Sequence, residues 1–326
     1  MKYQIAIIAG GDSGEYEISI KSAAVVKKHL DEGLFDCFPV IIRGNDWYYS
    51  DNEGVKYPVN KNDFSILFQG KKISFDGIFV AIHGTPGEDG KILGYFDMLH
   101  IPYTSCDSFT SALTFDKFFC NHYVKSFGAN IARSLRLRKE DRVSDDEILA
   151  QLSLPLFVKP NRGGSSVGTS KVKSKEDLRP AIETAFREDS QVILEEHIPG
   201  RELSCGTIMF RGEIITLPIT EIISHKEFFD YEAKYQGMSD EVTPADIPPV
   251  IAAEISSLSK KIYKILNCRG MVRVDYILNE NKLFFLEVNT VPGMSELSIV
   301  PQQSLKAGIS LKELFTETML NALNSR

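Results

Sequence analysis

Apolar positions in the first hundred residues fall into short runs separated by glycine-rich and polar breaks. QIAIIAGG reads as a buried strand ending in glycines, and Ile18, Ala23, Val26 and Leu30 then recur at helical spacing. CFPVII predicts a second strand. FDGIFVAIHG predicts another, running into the glycine-rich loop GTPGEDGKILG, and LGYFDML has a helical pattern. WYY and NDFSILF are short and ambiguous. Repeated strand, loop and helix predict a small, mostly parallel α/β unit over residues 1–105. Ligands of such sheets sit beyond the carboxyl ends of the strands. Gly10-Gly11 and His83-Gly84 both fall there.

Over residues 106–190 the pattern predicts a second unit. Ser108 to Lys125 reads as one helix, RSLRLRKEDR as a solvated strand or edge, and DDEILAQL as a short helix. LPLFVKP is a strand with Lys159 near its end. KEDLRPAIETAFRED is a helix with Pro180 inside it or at its start. Residues 191–326 make a third unit. QVILEEHIPG, RELSCGTIMF and EIITLPITEII are antiparallel strand candidates, and IAAEISSLSKKIYKIL is an amphipathic helix. Between them, about 224–248, KEFFDYEAKYQGMSDEVTPADIPP lacks periodicity and reads as a long exposed loop, either a lid or a disordered segment. Ser298 to Leu305 and ISLKELFTETMLNAL predict closing helices.

Three stretches carry candidate chemistry. RGMVRVDYILNENKLFFLEVNTVPGM reads as two strands joined by an NENK turn. Alternation puts Arg273 and Asp275 on one face of the first strand, and Glu287 and Asn289 on one face of the second. If the faces coincide, two carboxylates and an amide oxygen converge beside an arginine, a set suited to Mg²⁺ rather than Zn²⁺. The alternative is a hairpin whose polar residues face solvent. In NRGGSSVGTSKV, Gly163, Gly164 and Gly168 give flexibility, and Ser165, Ser166 and exposed amides can embrace phosphate oxygens beside Lys159. A plain surface hairpin is the other reading. GGDSGEYEIS lacks both the dinucleotide-binding and the P-loop glycine spacings, and Glu15 and Glu17 there can serve simply as helix-start carboxylates.

Composition narrows the field only modestly. A chain of 326 residues can hold one to three domains. Its net charge of -7 and pI of about 5.5 weigh against non-specific nucleic-acid binding. No apolar run is long enough to span a bilayer. MKYQIAIIAGG runs straight into a glycine turn and reads as a first strand rather than a signal peptide. The five cysteines form no CxxC pair, so reduced thiols in a cytoplasmic protein are the expectation, and the six histidines offer no transition-metal set.

Together, GGDSGEYEIS, HGTPGEDG, LTFDK, FVKPNRGGSSVG, LEEHIPGRE, FDYEAKY, RVDYILN and LEVNTVPGMSELSIVP resemble, in order and over nearly the whole chain, the D-alanine–D-alanine ligases of the ATP-grasp superfamily. The resemblance implies a multidomain α/β and α+β architecture: a small parallel α/β N-terminal domain, then an ATP-grasp fold with two antiparallel sheets sandwiching ATP. It implies that Lys117 and Lys159 contact the nucleotide phosphates and that Lys234 reaches the γ-phosphate from the lid. Glu195 would bond the adenine amino group, Glu196 and Ile198 line the base pocket, and Glu202 hold the ribose. Asp275, Glu287 and Asn289 would bind two Mg²⁺ ions, with Mn²⁺ as a substitute. Glu15 would bind the first substrate ammonium and join Ser165 and Tyr235 in a clamp between lid and core.

Arg273 and the Gly293 amide would stabilise the reacting carboxylate and the later oxyanion. Ser298 would hold the second substrate carboxylate, and His83 would lie near the first substrate. The implied chemistry is ligation of two D-alanines through an acyl phosphate for peptidoglycan precursors, by a cytoplasmic homodimer with neither nucleic acid nor membrane as partner. Phe229 stands where many relatives have tyrosine, and His197 occupies a variable position beside the base pocket. Tyr235 resembles the dipeptide-forming rather than the D-lactate-using class. Alternatives are a D-serine or D-lactate ligase, another carboxylate–amine ligase of the superfamily, and a nucleotide-binding regulatory module.

Overall fold

The structure is a computed structural model and describes residues 2–224 and 239–325. Phe229, Lys234 and Tyr235, all expected on the lid, lie outside the described residues.

Three sheets organise the chain. In the first, β1 (Tyr3–Gly10) lies parallel to both β2 (Phe35–Arg43) and β7 (Gly77–Val80). The run Ile5 to Ala9 is fully buried, as expected of a strand covered on both faces. The stretches left ambiguous by pattern extend this parallel core as an antiparallel meander: β3 (Asp46–Ser50), β4 (Lys56–Asn60), β5 (Ser65–Phe68) and β6 (Lys71–Ile73). Their aromatics make the pieces cohere. Phe38, Tyr49, Tyr57 and Phe68 meet with ring centroids 5.0–6.3 Å apart. Helix α1 (Tyr16–His29) follows β1, and α2 (Lys91–Leu99) follows the glycine-rich loop after β7.

The helix expected over 108–125 is two helices, α3 (Ser108–Phe115) and α4 (Lys117–Ser126). Asp116 breaks the run because its backbone is extended and its side chain accepts the Phe119 N–H, restarting a helix. That restart places Lys117 in the first turn of α4. Pro180 sits at the third position of α6 (Leu178–Glu188), where a helical N–H has no intrahelical partner to lose.

The second sheet has the order β10 (Ser170–Val172), β9 (Leu156–Pro160), β11 (Gln191–Glu196), β8 (Ser134–Arg138), all antiparallel. Leu156, Val158, Val192 and Leu194 pack against Ile182 and Ala185 of α6. Alternation therefore sends Phe157, Lys159, Ile193 and Glu195 to the opposite face. Strand β11, which follows the boundary expected at 190/191, pairs with β8 and β9 in this sheet. The short α5 (Asp145–Leu149) opens on a Ser144–Glu147 capping box.

The third sheet joins β15 (Ser239–Val242), β14 (Thr220–Ser224), β12 (Arg201–Phe210), β16 (Met271–Asn279) and β17 (Lys282–Asn289), with β13 (Glu213–Thr216) beside β12. Helix α7 (Pro249–Ile265) covers it, as do α3 and α4 from the segment expected to belong to the second unit. Helices α8 (Ile299–Lys306) and α9 (Leu311–Asn324) end the chain. Leu314, Phe315 and Met319 of α9 enter the same core as the first sheet, with Phe315 edge-on to Phe79. That shared core packs the last helix against the first sheet.

Candidate active site

The hairpin β16–β17 supplies the floor of the site. Its register sets Arg273 opposite Asn289 and Asp275 opposite Glu287, so the polar faces coincide. A bulge after Asp275 makes this possible. Strict alternation would put Phe285 and Leu283 on the face of Glu287; one extra residue, Leu286, returns both to the core. One strand thus offers Glu287 and Asn289 to the site while burying Leu283, Phe285 and Val288 behind it.

Asp275 is 2% exposed and fully engaged. Arg273 donates through Nε at 2.9 Å and Nη2 at 2.7 Å, Asn289 Nδ2 donates at 3.0 Å, and Ser204 Oγ donates from β12. Burial works against the Arg273 guanidinium, but Asp275 beside it, with Glu287 and Glu202, outweighs this and raises its pKa.

A cavity of about 310 Å³ opens above this floor. It gathers Glu15, His83, Lys117, Ser165, Arg273, Glu287, Asn289, Gly293 and Ser298 from all three units. Glu15 precedes α1 and accepts from Ser165 Oγ at 2.5 Å, across 150 residues of sequence. Ser165 and Ser166 hold φ near +55°, the left-handed turn that lets this loop reach Glu15. A Cβ on Gly164 would stand 2.9 Å from Glu15 Oε2, so a larger residue there would push the Glu15 carboxylate aside. A Cβ on Gly293 would likewise press on Ser298 Oγ, 2.8 Å away. Ser298 precedes α8, and its hydroxyl meets Ser295 Oγ at 2.7 Å.

Beside the cavity lie cation–carboxylate pairs. Lys117 Nζ is 3.3 Å from Glu287 and donates at 2.7 Å to the Gly163 carbonyl of the glycine-rich loop. Lys159 Nζ is 2.5 Å from Glu195, which also accepts from Asn121 Nδ2 at 3.2 Å. Burial opposes the Lys159 charge, yet Glu195 and Glu287 more than offset it, and its pKa stands above the ordinary lysine value. Lys159, Glu195, Glu196, Ile198, Glu202 and Asp275 are not on the cavity wall. Glu195 and Lys159 share the open face of the second sheet. The Glu196 carboxylate instead accepts from the Ser153 amide at 2.8 Å and pairs with Arg133. Glu202 sits on β12 opposite Ile277. His197, edge-on to Phe157, has its pKa lowered by burial and by Lys171.

Pattern did not reveal several supports. Glu88 lines the cavity and accepts the Gly84 amide at 2.8 Å; it stands in HGTPGEDG, which was singled out without a role for its acid. Asn161 is fully buried and caps α4 by accepting from the Phe118 amide at 3.0 Å. Ser22 is buried in α1, where a polar residue among Ala23 and Val26 was the only available signal.

Among the described residues no group of three or more His, Cys, Asp or Glu side chains is placed to hold a metal. Glu287 and Asn289 offer oxygen donors to the cavity, since the Asn289 nitrogen is spent on Asp275, which leaves its oxygen as the ligand atom; Asp275, expected as a third ligand, is turned to Arg273, Asn289 and Ser204. These residues fit Mg²⁺ or Mn²⁺ and not a soft metal. No helix among the described residues is long and apolar enough to cross a membrane.

Known proteins bear the same stamp. Residues 4–106 match the model of the D-ala D-ala ligase N-terminus, and residues 123–320 that of the D-ala D-ala ligase C-terminus. A D-alanine–D-alanine ligase of Phocaeicola vulgatus is 46% identical over 98% of this chain and 99% of its own length. The VanG D-Ala:D-Ser ligase from Enterococcus faecalis superposes with a TM-score of 0.87 at 33% identity, covering 98% of both chains. D-alanyl-alanine synthetase A from Vibrio cholerae gives a TM-score of 0.89 at 26% identity, over 99% of this chain and 98% of that one. Matched by both family models and, almost end to end, by these relatives, the chain belongs to the D-alanine–D-alanine ligase family.

Proposed function

We propose that this protein joins two D-alanine molecules into D-alanyl-D-alanine at the expense of ATP, giving ADP and phosphate, for peptidoglycan precursors. The observation that carries the reading is the single cavity that sets Glu15, Arg273, Gly293 and Ser298 beside Lys117 and Glu287. An amino-acid substrate needs an anion for its ammonium and donors for its carboxylate, and this cavity offers both. Glu15 takes the first ammonium as a charge-assisted hydrogen bond. His83 borders the same subsite, and Ser298 with its turn takes the second carboxylate.

In the first step a carboxylate oxygen of D-alanine attacks the γ-phosphorus of ATP. A C–O–P link forms, and the bond to the β-phosphate oxygen breaks, its electron pair leaving with ADP. Two anions must meet, so positive charge must offset their repulsion. Arg273, Lys117 and Lys159 supply it, with Lys234 assigned to this task from sequence. Mg²⁺, held by Glu287 and Asn289 with Asp275 behind them, would neutralise phosphate charge when bound. Adenine lies against Glu195, Glu196 and Ile198, and ribose against Glu202. In the second step the deprotonated amine of the other D-alanine attacks the acyl carbon, and phosphate leaves. Arg273 and the Gly293 amide hold the oxyanion. Water would hydrolyse the acyl phosphate, so closure over the site is part of the chemistry. The clamp of Glu15 and Ser165 gives a lid bearing Tyr235 its docking point. We take the assembly to be a homodimer on the family likeness.

The test measures ADP and dipeptide release with D-alanine, ATP and Mg²⁺, alongside D-serine, D-lactate and L-alanine as second substrates. D-alanine-dependent ADP release with equimolar dipeptide is expected. ATP binding with no amino-acid-dependent turnover would overturn the reading, and better turnover with D-serine would reassign the second substrate.

A further inference from the structure

The turn that carries Gly293 has no regular secondary structure to set its position. It runs from Val291 to Met294 between β17 and α8. Val291 and Met294 are buried in the core, and a polar cluster joining His83 to Ser22, which has no role above, adds directional anchorage. His83 is 4% exposed and Ser22 fully buried. The His83 Nδ1 atom lies 2.9 Å from the Val291 carbonyl oxygen, and Nε2 lies 2.9 Å from Ser22 Oγ. Ser22 Oγ in turn accepts from the Met294 amide at 3.4 Å.

The proton positions follow from the partners. A carbonyl oxygen only accepts, so Nδ1 carries the hydrogen. A neutral imidazole then has a bare Nε2, which accepts from the Ser22 hydroxyl. Ser22 oxygen keeps a lone pair for the Met294 N–H. The result is a closed circuit: Met294 amide to Ser22, Ser22 to His83, His83 to Val291. It grips the turn at both ends, one residue beyond Gly293 and two before it.

We propose that Ser22 is a positioning residue for ligation, acting through His83 to set the Val291–Met294 turn. The proposal deepens the ligase reading and rests on it. Ser22 stands seven residues after Glu15, about 10 Å along the same helix at 1.5 Å per residue. Helix α1 therefore ties the ammonium anchor at its start to the oxyanion turn beside its middle. The proposed second carboxylate site at Ser298 lies beside the same turn, where a Cβ added to Gly293 would stand 2.8 Å from Ser298 Oγ. Loosening the turn displaces groups that face the amino acids and leaves Lys159 and Glu195 untouched.

Ser22→Ala is expected to raise the KM for D-alanine about tenfold and to lower kcat, because ångström-scale displacement of a reacting geometry is costly. The KM for ATP should stay within about twofold, and ADP release should exceed dipeptide release as acyl phosphate is lost to water. Ser22→Thr keeps the hydroxyl and should return the D-alanine KM toward the parent. Ser65→Ala serves as a control: it removes another buried serine, one that donates to Asp63 at 2.7 Å in the first sheet's meander. It should lower Tm without changing the D-alanine KM. Long-range ¹H–¹⁵N correlation on the unmodified protein should show the His83 ring neutral with its proton on Nδ1.

A folded Ser22→Ala variant with parental D-alanine kinetics overturns the proposal, as does a His83 proton on Nε2. If Ser22→Ala does not fold, the tautomer and Ser22→Thr decide. If the parent makes no dipeptide, the ligase reading fails, while the tautomer still tells whether the circuit exists.

Discussion

The amino-acid side of the site and its nucleotide side are built on different principles. Around the amino-acid cavity, Glu15 is held by a serine hydroxyl, His83 by a serine and a backbone carbonyl, and Ser298 by a neighbouring serine. Most of these partners are neutral and fixed to the fold. On the nucleotide side, Lys159 is held by Glu195 and Lys117 by Glu287. There Lys159 and Lys117, both proposed for phosphate, are each already paired with an acid proposed for the base or the metal. On the proposed reading, the first side is preorganised for a small zwitterion. The second is charge-balanced in advance, so binding of a polyanion exchanges partners rather than creating them. Such exchange lets a ligand as highly charged as ATP leave again.

Breaking the common floor should have the largest effect. Arg273→Ala strands Asp275 at 2% exposure, with only Ser204 and Asn289 to serve it. Loss of one member of a buried pair costs roughly 3–5 kcal/mol. Urea unfolding should register that loss, and ligation should fall to background. Arg273→Lys restores charge without the two-pronged bond and should recover stability only in part. A parental urea midpoint for Arg273→Ala would remove the pair from the account.

Lys159→Ala tests the exchangeable side. Glu195 loses a single contact where Asp275 loses a two-pronged one, so the stability loss should be smaller, about 2 kcal/mol, the scale of a charged hydrogen bond. ATP affinity by calorimetry should fall sharply, while the Glu15 contacts remain. The double variant Lys159→Ala/Glu195→Ala should regain stability over Lys159→Ala without regaining ATP affinity. If the double variant is no more stable, Glu195 was not left stranded.

Ser165→Ala should invert that pattern. It removes one hydrogen bond to Glu15, and a loss of about 1 kcal/mol corresponds to roughly a fivefold rise in the D-alanine KM. ATP affinity should be parental. An equal fall in affinity for both ligands would merge the two sides into one.

The smallest effect concerns pH. The folded-state pKa of His197 lies below the ordinary 6.5, because of burial and Lys171. The unfolded chain therefore binds the proton more readily, and stability rises with pH through the window between the two values, levelling off above 6.5. Urea titrations from pH 5 to 8 should show a shallower rise for His197→Asn than for the parent. Lys159 behaves oppositely. Its raised value keeps its contribution intact below the usual lysine range, and that contribution is lost only as pH rises through the raised value. An alkaline fall in ATP affinity that begins near pH 8 would point to another group.

Much of this was readable before any coordinates. Period-two alternation in MVRVDYIL and LFFLEV put Arg273, Asp275, Glu287 and Asn289 on two faces, since strand geometry fixes side-chain sidedness locally. The glycine-rich loop announced itself in the same way, because glycine marks backbone that must turn or be approached closely. Other features were silent for an equally physical reason. A continuous helix over 108–125 is what apolar spacing predicts; Asp116 breaks it by a cap whose partner geometry no pattern reports. The meander of β3 to β6 is ambiguous in sequence because each piece is too short to show a period, and it coheres through cross-strand pairing and mutual aromatic packing.

Local chemistry, then, was enough to say which side chains face which way along each strand and helix, and which loops must bend. Whether those faces meet is another matter. The return of Leu283 and Phe285 to the core depends on a bulge set by cross-strand register, and Ser165 reaches Glu15 across 150 residues. The Ser22–His83 circuit joins α1, the loop after β7 and the turn after β17. Contacts so distant along the chain carry no periodic signature, because their energy comes from burying polar groups that only the packed fold brings together.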